Sequence, residues 1–157
     1  MASEIMKLWR LVTSNLKLHL PLWLAALWWG SLTTVGFFVV PMLFVHLPTP
    51  AVAGAMAAKL FGVQTWLSAV CSALLLILLK TTRKSPSGSS SYAKAAIYFI
   101  AAGLILCLLS EFAIAPRIVA KENLRFWHSV GSAAYFLQWL CAAMVFAKLK
   151  KEGQKDV

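Results

Sequence analysis

Acidic residues are the scarcest feature of this chain: five Asp and Glu stand against fifteen Lys and Arg among 157 residues. All charged residues together make up 13% of the sequence, whereas 61% of it is hydrophobic. Soluble domains usually devote about a quarter of their residues to charge. So low a charged fraction excludes an ordinary soluble domain and favours a membrane protein.

Motifs of several functional classes are also missing. No CxxC pair occurs, and the three cysteines lie in apolar stretches, so the sequence does not predict a disulfide framework. The absence of GxSxG and HExxH gives no support to hydrolase or zinc-protease chemistry. No nucleic-acid-reading motif accompanies the formal charge of +10, and we therefore predict no nucleic-acid partner.

Long apolar stretches are what the sequence has in abundance. Four of them reach the ~20 residues that a helix needs to cross a bilayer. They cover about 20–47, 57–79, 92–115 and 126–147. We predict an all-α protein, an integral membrane antiparallel four-helix bundle over 20–147, with span one beside spans two and four. An amphipathic, interfacial lead-in (1–19) and a basic tail (148–157) would flank the bundle.

The basic residues are unevenly distributed along the chain. Most of the fifteen lie in the N-terminal segment, between the second and third stretches, and in the tail. An excess of Lys and Arg beside membrane spans marks the cytoplasmic side. We therefore predict that both termini are cytoplasmic and that this basic rim meets anionic lipid.

Glu111 is the only acidic residue inside any of the four apolar stretches. A charge at membrane depth costs about 3 kcal/mol or more unless it is protonated, paired or hydrated. Other polar side chains fall toward the same, non-cytoplasmic end of the predicted bundle: His46, Gln64, Arg117 and His128. We predict a polar pocket there, with Glu111 as the ligand or proton acceptor and Arg117 holding an anionic group.

Several kinds of chemistry remain open for this pocket. His46, Glu111 and His128 together would suit a divalent metal ion. The two histidines would alternatively serve as axial ligands of a haem within the bundle. Glu111 alone would suit proton or ion handling. A purely structural role is the broadest alternative, in which Glu111 pairs with Arg117, Arg125 or His128, or accepts a hydrogen bond from Trp or Ser, and fixes the packing of the helices.

Local packing is predicted from prolines and small residues. Pro41 lies inside span one and should kink it. Gly30 is placed where a neighbouring helix could approach closely. Cys141 and Met144 share a helical face and carry donors that suit Cu(I), although packing is the simpler explanation of this pair.

Two sets of short motifs stand out over residues 20–147. The first set is Trp29-Gly30-Ser31, Pro41-Met42-Leu43-Phe44, Ala53-Gly54 and Lys59-Leu60-Phe61; the second is Glu111, Pro116-Arg117-Ile118 and Phe126-Trp127-His128-Ser129. Together they resemble a small bacterial membrane family of unknown function, related to eukaryotic transmembrane protein 205. The resemblance implies a four-helix protein, distantly similar to copper-resistance membrane domains and to a haem-biosynthetic protoporphyrinogen oxidase. Its implied functional positions are Pro41, Glu111, Pro116, Arg117 and His128.

The functional prediction combines the pocket with this resemblance. We predict a non-enzymatic protein of the bacterial inner membrane whose periplasm-facing pocket binds or moves a metal ion, haem or similar small cargo. The alternative is an accessory or assembly subunit that packs against a larger membrane complex, since apolar faces rich in small residues also serve contacts between proteins. A homo-oligomer is a further candidate assembly, and an enzyme is the least favoured interpretation.

Overall fold

The computed structural model describes the backbone of residues 2–82 and 91–153, and the side chains of residues 4–6, 19–80 and 94–151. Within the described backbone, six α-helices and two short π-helical segments follow one another. They are α1 (Ala2–Thr33), π1 (Thr34–Val39), α2 (Val40–His46), α3 (Pro50–Thr82), α4 (Ser91–Leu109), π2 (Ser110–Ile114), α5 (Ala115–Val119) and α6 (Leu124–Gly153). No strand occurs within the described backbone, which confirms the predicted all-α class.

These helices form four spans that are long and apolar enough to cross a membrane. The spans cover His19–His46, Pro50–Lys80, Lys94–Val119 and Leu124–Lys151. Span one consists of the second half of α1 with π1 and α2, and span three consists of α4, π2 and α5. The chain is therefore a multi-pass, four-helix membrane protein, as its apolar stretches predicted.

Each span has two neighbours. α1 packs against α3 and α6, and α4 packs against the same two helices, with the α4–α6 contact the most extensive. Span one thus lies beside spans two and four, which confirms the predicted order. Such a closed ring of four helices surrounds a common interior that all four spans can line.

Helix ends differ from the sequence-based boundaries at three places. α1 runs without interruption from Ala2 through Pro21, so the lead-in continues directly into span one. α3 begins at Pro50, because proline is favoured in the first helical turn and alanines follow it. Span three continues past Pro116 to Val119. The side chains of residues 7–18 in the lead-in, and residues 154–157 of the predicted tail, lie outside the described residues.

Close approach between helices depends on Gly103 and Gly36 rather than on Gly30. A Cβ at Gly103 would lie 2.7 Å from Cη2 of Trp28, which is closer than atoms pack. A Cβ at Gly36 would overlap the ring of Tyr135. A Cβ at Gly30 would meet nothing within 4 Å, so no described helix of this chain approaches closely at this glycine.

The buried core fills one half of the bundle, on the side of the chain termini and the α3–α4 connection. Its members come from all four spans: Ala25, Trp28, Leu32, Cys71, Leu75, Leu79, Ala96, Ile100, Ala142, Val145 and Leu149. Trp28, Leu32, Leu75 and Ile100 are fully buried there. Interiors packed in this way leave few voids, so this half of the bundle is closed.

Candidate functional site

A cavity of about 540 Å³ lies between the spans in the opposite half of the bundle, toward the α2–α3 and α5–α6 connections. Every span contributes to its wall. Small residues at Gly54, Ala57 and Gly62 on α3 leave room that larger side chains would fill. Ligand cavities in proteins commonly measure roughly 300–1,000 Å³, so this space is large enough for a small molecule.

Most of the cavity wall is apolar, and the polar groups in it are few. Glu111 and His128 face the cavity from span three and span four. The other polar lining residues are Gln64 and Thr65 from α3, Ser110 from π2, and Ser132, Tyr135 and Gln138 from α6. Three of the five residues predicted for the pocket, Gln64, Glu111 and His128, therefore line one space.

Glu111 is half-buried in π2. Among the residues that the structure describes, no hydrogen bond or ion pair joins its carboxylate to another group. The structural alternative names Arg117, Arg125, His128, or a Trp or Ser donor as the partner, and none of these contacts is present among the described residues. The carboxylate is thus left facing the cavity, where a bound molecule or water would be its partner.

Arg117 lies outside the cavity wall and is held by other contacts. Its Nη1 donates a hydrogen bond of 2.9 Å to the carbonyl oxygen of Ala113. Its Cζ lies 4.5 Å from the ring centroid of Trp127, within cation–π range. Arg117 therefore ties span three to the first turns of α6, instead of holding an anion in the cavity.

His46 also lies outside the cavity wall. It is exposed at the end of α2, and its Nδ1 lies 3.0 Å from the carbonyl oxygen of Met42. Among the described residues, no three His, Cys, Asp or Glu side chains come close enough to hold one metal ion. The predicted set of His46, Glu111 and His128 is therefore not assembled, and the two histidines do not face each other across the cavity.

Gln64 closes the floor of the cavity with a small hydrogen-bond network. Its Nε2 donates to Ser31 Oγ on α1 at 3.0 Å and to Ser68 Oγ on α3 at 3.3 Å. The side chain is 5% exposed. A buried amide held on two helices is rigid, so Gln64 offers its remaining polar capacity to the cavity in a fixed position.

Tyr135 forms the wall on the side of span four, and sequence reasoning did not identify it. Its hydroxyl donates a hydrogen bond of 2.8 Å to the carbonyl oxygen of Leu32. Its ring packs against Gly36 and meets the ring of Phe61 at a centroid distance of 5.2 Å, edge to face. The aromatic character of span four was visible in the sequence, but nothing in the spacing showed which ring faces inward.

Both π-helical segments border the cavity, and each one ends two residues before a proline. The N–H of Val40 bonds to Val35, five residues back, just before Pro41. The N–H of Ala115 bonds in the same way to Ser110, just before Pro116. Proline has no N–H and crowds the preceding turn, so a wider turn relieves both problems. Pro41 was predicted to distort span one, and the distortion takes this form.

The two π-segments supply several of the residues that line the cavity. Gly36 and Phe37 belong to π1, and Ser110, Glu111 and Ile114 belong to π2. Single-turn π-segments inside α-helices occur frequently at functional sites. The two prolines thus help to shape the wall, although neither one lines it.

Comparison with known proteins gives a family and no function. Among curated proteins and among solved structures, nothing matches the chain. A family model described as a domain of unknown function (DUF4149) matches residues 23–126, which include Glu111 and both π-segments. Since this match covers well over half of the sequence, the chain belongs to the DUF4149 family.

Proposed function

We propose that this protein binds a small, largely apolar molecule in the cavity between its four spans, with Glu111 as the charge-bearing contact. The observation that carries the proposal is a cavity of about 540 Å³ lined from all four spans, into which an unpaired carboxylate faces. A largely apolar cavity with few polar groups is the usual form of a small-molecule site.

The polar residues are arranged as such a site requires. Gln64 is fixed by hydrogen bonds to two serines, and Tyr135 is fixed by its bond to Leu32. Groups that are held by a supporting shell can orient a ligand without a further loss of side-chain freedom. Glu111 and His128 are not held in this way, so their side chains can adjust to contact the ligand.

The packed core supports binding from one side of the membrane. Beyond Gln64 the interior is filled by fully buried side chains such as Trp28, Leu75 and Ile100. A continuous path through the bundle would require this core to separate, which is costly in a close-packed interior. Binding of a molecule from one face of the membrane is therefore favoured over its passage through a permanently open pore.

The basic residues favour a periplasmic entrance to the cavity. Most Lys and Arg belong to the termini and to the α3–α4 connection, and the cavity lies at the opposite end. By the positive-inside rule, both termini would lie in the cytoplasm of a bacterium, and the cavity would open on the outer side of its inner membrane.

Metal and haem are the less favoured cargoes on the basis of the donor set. The cavity wall offers one imidazole, from His128, and one carboxylate, from Glu111. A protein metal site normally uses three or four protein ligands, and bis-histidine ligation of haem needs two imidazoles within one space. An organic molecule makes better use of a wall that is mostly apolar.

A cavity-filling variant tests the proposal. Gly62 lines the cavity and Gly30 does not, yet a Cβ at either position meets nothing within 4 Å. We expect Gly62→Leu to weaken the saturable binding of a neutral aromatic probe, triphenylphosphine oxide, by about tenfold or more, and Gly30→Leu to leave it unchanged. Equilibrium dialysis of the detergent-purified protein against protein-free micelles measures this. Absence of saturable binding to the unmodified protein, or equal loss in both variants, would contradict the proposal.

A further inference from the structure

We propose that the molecule this cavity selects is a lipophilic organic cation. The inference rests on the proposed function and narrows it from small apolar molecules in general to one class of ligand. Two properties of the wall lead to it: the sign of the charge among its lining residues, and the number of aromatic rings in the same wall.

The charge of the wall is one-sided. Glu111 lines the cavity, whereas Lys or Arg is absent from the lining among the described residues. The nearest candidate cation in sequence, Arg117, is engaged with Ala113 and Trp127. An anion would find no Lys or Arg in the wall, only the imidazole of His128, and would share the space with a carboxylate. A neutral molecule would leave the carboxylate uncompensated. A cation would supply the missing counter-charge in a low-dielectric space.

Aromatic rings surround the same space. Phe37 and Phe44 line it from span one, Phe61 from α3, and Tyr135 and Phe136 from α6. The hydroxyl of Tyr135 is bonded to Leu32, which leaves its ring as the part that faces a ligand. The faces of aromatic rings attract organic cations, and groups of such rings recognise quaternary ammonium compounds.

Small inorganic cations fit this wall less well. Ca²⁺ and Mg²⁺ require about six oxygen ligands, and transition metals require several nitrogen, oxygen or sulfur donors. The wall supplies one carboxylate and one imidazole, together with a few amides and hydroxyls among rings and aliphatic groups. Among the described residues, no three His, Cys, Asp or Glu side chains come close enough to hold one ion. A cation whose charge is spread over an apolar body satisfies both parts of the wall at once.

Three probes of the same general shape and different charge test the inference. They are tetraphenylphosphonium (cation), triphenylphosphine oxide (neutral) and tetraphenylborate (anion), each measured by equilibrium dialysis against protein-free micelles. We expect the affinity to fall in that order. Glu111→Gln keeps the size of the side chain and removes its charge, so we expect it to weaken tetraphenylphosphonium binding by about tenfold and to leave triphenylphosphine oxide binding within about twofold.

Glu122 provides the matched control. It is exposed in the turn between α5 and α6 and does not line the cavity, so Glu122→Gln removes the same charge from outside the site. We expect no change with any of the three probes. Retained binding of the neutral probe to Glu111→Gln also demonstrates that this variant is folded.

A second pair of variants tests the aromatic part. Phe61 lines the cavity, whereas Phe38 is 62% exposed and is not part of the wall. We expect Phe61→Leu to weaken the binding of tetraphenylphosphonium several-fold more than the binding of triphenylphosphine oxide. Phe38→Leu should leave the binding of both probes unchanged.

The outcomes separate the inference from the proposed function. Saturable binding of the neutral probe with no preference for the cation, or with a preference that survives in Glu111→Gln, overturns the cation inference and leaves the cavity proposal in place. If none of the probes binds saturably to the unmodified protein, both fail. A tetraphenylphosphonium preference that is lost in Glu111→Gln and kept in Glu122→Gln supports both.

Discussion

The hydroxyl of Tyr135 donates a 2.8 Å hydrogen bond to the carbonyl oxygen of Leu32, at the last turn of α1 before it widens into π1. Hydrogen bonds between membrane helices contribute about 0.6 kcal/mol on average and up to about 1.7 kcal/mol. Because this bond also fixes the ring that forms the cavity wall, one side chain supports both the α1–α6 contact and the site.

Removing this hydroxyl should destabilise the bundle modestly. We expect Tyr135→Phe to lower the free energy of unfolding by about 1 kcal/mol, because it leaves the Leu32 carbonyl without this donor. Reversible unfolding in mixed micelles measures the change. Tyr98→Phe is the matched control, since Tyr98 is 76% exposed on the outer surface. Equal effects of the two changes would show that the hydrogen bond to Leu32 contributes nothing.

The closed half of the bundle should be sensitive to a single methyl group. We expect Gly103→Ala to cost about 1–3 kcal/mol of stability, because its Cβ would lie 2.7 Å from the Trp28 ring. Gly30→Ala should be neutral or slightly stabilising, since it adds helix propensity in open space. Trp28→Phe combined with Gly103→Ala should recover part of the loss. A tolerant Gly103 would mean that α4 and α1 are further apart than described.

The prolines that follow the π-segments should affect binding more than a proline elsewhere in a helix. Pro41→Ala and Pro116→Ala restore an N–H and remove the clash that favours a wide turn. We expect each of them to move the residues of π1 or π2 and to weaken triphenylphosphine oxide binding by at least several-fold. Dialysis of the purified variants measures this.

Pro21→Ala is the control for these two variants. Pro21 lies within α1 and has no π-segment beside it. Binding should be unchanged in Pro21→Ala. Full binding in Pro41→Ala and Pro116→Ala as well would show that the prolines do not shape the cavity.

The orientation in the membrane remains a prediction from charge, and cysteine labelling would test it. We expect Thr49→Cys, in the α2–α3 connection, to react with a membrane-impermeant maleimide in intact cells, and Lys150→Cys to react only after the cells are opened. The unmodified chain measures the background labelling of the native cysteines, of which Cys71 and Cys107 are buried and Cys141 is half-buried. The reverse pattern would place the cavity on the cytoplasmic side.

The four spans were readable from the sequence because length and apolarity determine them, and their order followed from the short connections between successive antiparallel helices. One-sided polarity also brought Gln64, Glu111 and His128 to the same end of the bundle. The side of each helix that faces the interior was harder to predict. A span that is apolar on every side has no periodic pattern that would show its rotation about the helix axis. For that reason His46 and Arg117 were placed in the pocket although they lie outside it.

Two further features depend on contacts that no local pattern encodes. The π-turns arise from a proline inside a continuing helix, and the sequence predicted only a distortion there. The inward position of Tyr135 depends on Gly36, about a hundred residues earlier in the chain. Three sequence-based expectations stay predictions: an accessory-subunit role, a homo-oligomer, and a relationship to transmembrane protein 205.

The matched family region ends at residue 126, and α6 begins at Leu124. Glu111 and both π-segments therefore lie inside the matched region, whereas His128, Tyr135 and Gln138 lie after it. The part of the cavity wall that α6 supplies is thus separate in the chain from the part that carries Glu111 and the π-segments. In this chain, substitutions in α6 can consequently change the shape of the cavity without replacing Glu111 or either π-segment.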